Sequence, residues 1–223
     1  MIESTEADRA ATNRRDAIAK GRGLALAGLL AALAGFVDAI GYLHLNGLFV
    51  SYMSGNSTQL AVALGQGALG EAASIAELIA LFVLGAAAGQ VLAGFAGKWH
   101  LTWVLIGVTI LLAIAGALGT SPQPMVLAMG ALNAAIHRAG SIPVSLTFVT
   151  GVLVRFGQGL GDFITRRTRG WNWLVQAVPW VGLITGAMLG GATYLRIGEA
   201  VIWVPVGFAG LIAAYSVTIP QPG

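Results

Sequence analysis

Runs of about 20 apolar residues, each closed by a charge or a proline, recur along this chain from residue 24 onward. About 20 residues of helix cross a hydrocarbon layer about 30 Å thick, and lipid offers no partner to an unpaired backbone N–H or C=O. The expected fold class is therefore all-α: a polytopic membrane helical bundle in a single domain. Composition agrees. Of the 223 residues 57% are hydrophobic and 9% charged, where soluble domains carry about a quarter charged residues. A soluble fold of this size would lack polar cover for so much apolar surface. The absence of Cys excludes disulfides and thiolate chemistry.

A formal net charge of +3 and a pI near 9.7 invite a nucleic-acid reading, but the distribution argues against one. Arg9, Arg14, Arg15, Lys20 and Arg22 precede the first apolar run, and Arg166, Arg167 and Arg169 share one loop. That is the pattern of membrane orientation signals, and no nucleic-acid motif accompanies it. Residues 1–23 are expected as a mobile or partly helical cytoplasmic tail, and 24–223 as the transmembrane domain. The first run is too long for a signal peptide and continues into Asp38 without a clear cleavage site, so it is expected as a retained span.

Six spans are expected at 24–43, 78–97, 101–119, 125–136, 171–195 and 197–217. Ser121-Pro122-Gln123-Pro124 reads as a turn, and Pro179 and Pro205 as interruptions within their spans. Two further stretches, 47–65 and 143–161, are nearly apolar enough to span but carry polar middles. They align at an offset of 96 residues, with Ser51-Tyr52-Met53-Ser54-Gly55 over Thr147-Phe148-Val149-Thr150-Gly151, though only three of nineteen positions are identical. Gly85, Gly89 and Ala93 are echoed by Gly182, Gly186 and Gly190. The chain thus reads as two halves, about 24–119 and 120–218. If both stretches are re-entrant or broken helices, ten basic residues face the cytoplasm; if both span, eight do. The positive-inside rule favours the first, with both termini cytoplasmic. Three spans per half then require inverted repeats, the plan of many transporters.

The pattern Val37-Asp38-Ala39, Gly41-Tyr42, Phe49-Val50-Ser51 and Met53-Ser54-Gly55-Asn56 resembles the YoaK-like family of bacterial membrane proteins, and residues 147–158 resemble that family's second motif. The resemblance covers nearly the whole chain. It implies an inner-membrane protein of about six spans and unknown function, and carries over no substrate or catalytic residue.

The residues themselves supply candidates. Asp38 lies within a span, where a carboxylate costs about 3 kcal/mol and is functional by default. Arg155, the repeat counterpart of Gln59, is expected to pair with Asp38 or share a cavity with it. Gly55-Asn56-Ser57-Thr58 and Thr150-Gly151 read as helix starts inside the membrane, where free N–H groups favour negative charge. With Ser54, Gln59 and Arg155 they suggest a site for a small anionic or zwitterionic solute, served by a transporter or channel-like protein. Ser, Asn and Gln that merely bond between helices would give the alternative, a non-transporting scaffold or partner subunit. An intramembrane hydrolase at Ser54 is a third reading, weakened because Tyr52 replaces the glycine such a turn needs. No enzyme, cofactor or metal is expected: His44, His100 and His137 stand apart, and no phosphate loop occurs. Gly85, Gly89, Gly182, Gly186 and Gly190 are expected to pack helices closely. The expected partners are the lipid bilayer, the solute and, in an oligomer, further copies; nucleic acid is not among them.

Overall fold

The computed structural model describes residues 2–136, 149–167 and 172–218. Among these residues there are eight α-helices: α1 (Ile2–His44), α2 (Met53–Gly65), α3 (Leu69–Ala96), α4 (His100–Ala117), α5 (Pro122–Ile136), α6 (Val149–Ile164), α7 (Val178–Ile197) and α8 (Trp203–Ser216). Three helical runs are long and apolar enough to cross a membrane: Gly21–His44, Leu69–Ala117 and Trp173–Ser216. The last two fold back on themselves at Gly97 and Gly198, whose φ of 53° and 60° is a backbone conformation that glycine adopts at little cost. The membrane-bundle expectation holds.

Several boundaries move. The helix does not stop at residue 24; α1 runs unbroken through the charged segment from Ile2. The second span begins at Leu69, nine residues before the expected start. The prolines open helices instead of breaking them. Pro122 begins α5, Pro179 lies in the first turn of α7, and Pro205 in the first turn of α8. A first-turn N–H has no intrahelical acceptor, so its loss to proline costs nothing there.

Two crossings of small residues hold the bundle together. Along α7, a Cβ at Gly182, Gly186 or Gly190 would run into the backbone of Gly28, Ala32 or Phe36 on α1. Along α3, Gly85 and Gly89 sit equally close to the backbone of Leu127 and Ala131 on α5. Each crossing is also tight from its other side, with Gly35 against Leu183 and Ala187, and Gly130 against Phe82 and Ala86. Numbering rises together on both partners, so both pairs are parallel. By contrast α4 is antiparallel to α8, since Thr102 bonds Ser216, Thr109 lies beside Gly210 and Gly116 beside Ile202. The Gly97 hairpin makes α3 and α4 antiparallel too, with Leu92 over Gly107.

These contacts fix the directions of six helices. α1, α4 and α7 point one way; α3, α5 and α8 point the other. The first half runs α1, α3, α4 and the second α5, α7, α8, so the halves are inverted. Each half's first long helix packs against the other half's second one. Leu30, Leu33, Ile40, Leu105, Leu112, Met125, Met129 and Leu132 fill the buried centre. Phe95, Leu195 and Leu211 stand largely exposed on the outside, the surface a bundle presents to lipid tails.

A cavity between two half-length helices

The first stretch folds by turning back. After α1 ends at His44 the chain reverses through Asn46 and Gly47, both at positive φ. Residues 48–52 then descend alongside α1, with Val50 packed on Gly41. The backbone N–H groups of Val50 and Ser51 donate to Asp38 Oδ1 at 2.9 and 2.7 Å, and the Ser51 hydroxyl donates to Asp38 Oδ2. Asp38 lies six residues before the end of α1, so the limb dips about 9 Å back along the helix. α2 leaves from there in the outward direction. Its 13 residues reach about 20 Å, too short to cross. The segment is a re-entrant loop: an irregular limb in and a helix out.

The polar run of α2 holds this limb. The Asn56 side chain is fully buried and closes a two-bond clamp on Phe49: its Oδ1 accepts the Phe49 N–H at 3.0 Å and its Nδ2 donates to the Phe49 carbonyl at 2.7 Å. Gln59 Nε2 donates to the Gly47 carbonyl at 3.0 Å. The Ser57 and Thr58 hydroxyls return to the Met53 and Ser54 carbonyls of their own helix. A Cβ at Gly55 would stand 2.6 Å from the Tyr52 ring, so a larger residue there would displace that ring.

In the second half α6 is described from Val149 onward. Its far end packs on Trp173, whose ring centroid is 5.0 Å from that of Phe156 and 6.0 Å from that of Phe163. Trp173 leads into α7, and Val178 there meets Gly28 near the start of the apolar part of α1. α6 therefore heads for the face opposite to the one α2 approaches. The rest of the second stretch, 143–148, lies outside the described residues, as do His137, Arg138 and Arg169.

The starts of the two short helices border one cavity of about 670 Å³. Asp38 and Tyr42 line it from α1, Ser51 and Tyr52 from the limb, Val149 and Thr150 from α6, and Leu183, Ala187 and Gly191 from α7. Both halves contribute walls. Among the described residues Asp38 is the one charged residue of the lining, and it is nine-tenths buried. Three aromatic rings stand together in the lining. The Tyr42 and Phe49 centroids are 5.1 Å apart, and Phe49 and Tyr52 meet edge to face at 5.3 Å.

Of the residues singled out in the sequence, Asp38 and Thr150 line this cavity; Ser54, Gly55, Asn56, Thr58, Gln59, Gly151 and Arg155 do not. No ion pair joins Asp38 to Arg155 among the described residues; the Asp38 carboxylate takes its hydrogen bonds from the limb. Arg155 lies half-buried on α6, about 8 Å along the helix from Thr150. Sequence reasoning missed Tyr42, Phe49, Ser51 and Tyr52 as a group. One signal was available: Tyr42 follows Asp38 by four residues and so shares its helix face.

The family model described as "Protein of unknown function (DUF1275)" matches residues 26–215. The chain belongs to that family. UPF0700 transmembrane protein RA0705 of Rhizobium meliloti (strain 1021) is similar to it, 38% identical over 203 residues that cover 89% of this chain and 88% of the relative. No solved structure matches. The matched DUF1275 region runs from the apolar part of α1 to the end of α8, so every wall of the cavity lies inside it. This DUF1275 chain is a transmembrane protein of an uncharacterised family, in contact with the lipid bilayer.

Proposed function

We propose that this chain is a bacterial inner-membrane protein that passes a small solute across the bilayer through the cavity between its halves, as a transporter or narrow channel and not as an enzyme. One observation carries the reading: two short helices, α2 and α6, directed to opposite faces, border the same cavity, and a buried carboxylate lines it. Irregular backbone at membrane depth is tolerated where it is buried in protein or lines a cavity. Inverted halves around a central site supply the means for alternating access. The solute bears no net negative charge, because the Asp38 carboxylate would repel a bare anion; of the two classes the sequence suggested, the zwitterion fits.

The helix directions support the sidedness read from the sequence. Lys98, Arg166, Arg167 and the basic start of α1 lie at one face and Arg196 at the other, a distribution that under the positive-inside rule favours a cytoplasmic first face, as proposed for both termini.

The test is flux. Purified protein in proteoliposomes should pass small zwitterions or amines in an osmotic swelling assay, and Asp38→Asn should slow passage about tenfold or more, a loss of about 1.4 kcal/mol. Equal rates in Asp38→Asn and the unaltered protein, or an unaltered protein no faster than empty liposomes, would remove the reading. The second reading, a scaffold whose polar residues only specify packing, draws support from the Asn56 and Gln59 amides, which are engaged in holding the limb. It predicts no flux above empty liposomes.

A further inference from the structure

We infer that the cavity takes an ammonium group, held between the Asp38 carboxylate and the aromatic cluster of Tyr42, Phe49 and Tyr52. The inference rests on the cavity being a ligand site and goes further by naming the chemistry of the ligand. Three observations converge. Asp38 is nine-tenths buried, and its hydrogen bonds come from neutral donors, the Val50 and Ser51 N–H groups and the Ser51 hydroxyl. A carboxylate at membrane depth calls for a cation or an aqueous cavity, and among the described residues no ion pair supplies the cation. The rings of Tyr42, Phe49 and Tyr52 line the same space. Aromatic faces attract cations, and best those that shed water readily, such as substituted ammonium groups. Most of the remaining wall is aliphatic, Leu43, Val149, Leu183 and Ala187 among it, with one further hydroxyl from Thr150. A charged head in a mostly apolar lining suits an organic ammonium better than a strongly hydrated metal ion, which would need several oxygen ligands.

The ammonium could belong to a free solute or to a lipid headgroup; the chemistry is shared, and the experiment separates the sources. Full-length protein in nanodiscs of phosphatidylglycerol, which lacks ammonium, is titrated with radiolabelled choline. Binding should saturate, acetate should not compete, and dimethylbutanol, the uncharged isostere with carbon in place of nitrogen, should compete about tenfold more weakly or worse. Asp38→Asn, which keeps an acceptor for the limb, should lose choline binding by about tenfold or more while its unfolding temperature holds. Tyr42→Leu should weaken binding and Tyr42→Phe retain it. Absent choline binding, equal competition by dimethylbutanol, competition by acetate, or normal binding by Asp38→Asn would each overturn the inference. Repeating the titration in phosphatidylethanolamine nanodiscs assigns the source. Suppressed choline binding there points to a lipid headgroup, and unchanged binding to a free solute. Choline binding without flux would refute transport and leave the ligand class standing. Flux of an anion would do the reverse.

Discussion

Asp38 accepts three hydrogen bonds from the re-entrant limb while lining the cavity. The first role makes it structural, the second makes it available to a ligand, and two substitutions separate them. Asparagine keeps an oxygen for the Val50 and Ser51 N–H groups; leucine keeps nothing. A buried donor left unpaired costs about 1–3 kcal/mol. Asp38→Leu should therefore lower the unfolding free energy by several kcal/mol, and Asp38→Asn by much less, in denaturant titrations followed by circular dichroism. Equal losses would mean that the charge, not the acceptor, holds the limb. Asn56→Leu should likewise cost about 1–3 kcal/mol by unpairing both backbone groups of Phe49. At this scale Asp38 was legible because a carboxylate inside an apolar run is conspicuous. The role of Asn56 was not. Its partner lies seven residues earlier on a chain reversal, and a polar run looks the same whether it faces a cavity or its own loop.

Among the helices, the glycine series governs approach. Gly85, Gly89, Gly182, Gly186 and Gly190 were legible as packing positions from their spacing, and their partners followed only from the fold. At Gly186 an added methyl would meet the Ala32 backbone, which cannot swing aside as a side chain can. Overpacking of this kind costs about 1–3 kcal/mol. Gly186→Ala and its repeat counterpart Gly89→Ala, which meets the Ala131 backbone, should both destabilise by that amount in thermal unfolding, whereas Gly94→Ala, with open space around it, should not. A neutral Gly186→Ala would show that α1 and α7 are not in close contact. The prolines were misjudged because a proline interrupting a helix and one opening a helix leave the same local signature. What distinguishes them is where the chain turns, and the turns at Gly97 and Gly198 lie within continuous apolar runs.

Over the whole molecule, inversion was legible from charge: three spans per half cannot keep one orientation. What the sequence did not disclose is the exchange of partners, in which α1 lies on α7 and α5 on α3. That pairing places the starts of α2 and α6 on one cavity and makes the cavity a property of both halves together. The central claim is that this space holds water. The chain has no native Cys, so single cysteines can report it with a membrane-impermeant thiol reagent on intact and inside-out vesicles. Asn56 and Val152 would report poorly, since both are buried against protein, whereas Thr150 and Ala187 line the space. Thr150→Cys and Ala187→Cys should react in at least one vesicle orientation, and Leu105→Cys, fully buried in the core, in neither. If Thr150→Cys and Ala187→Cys fold normally yet stay as unreactive as Leu105→Cys, the cavity is dry and the account is contradicted.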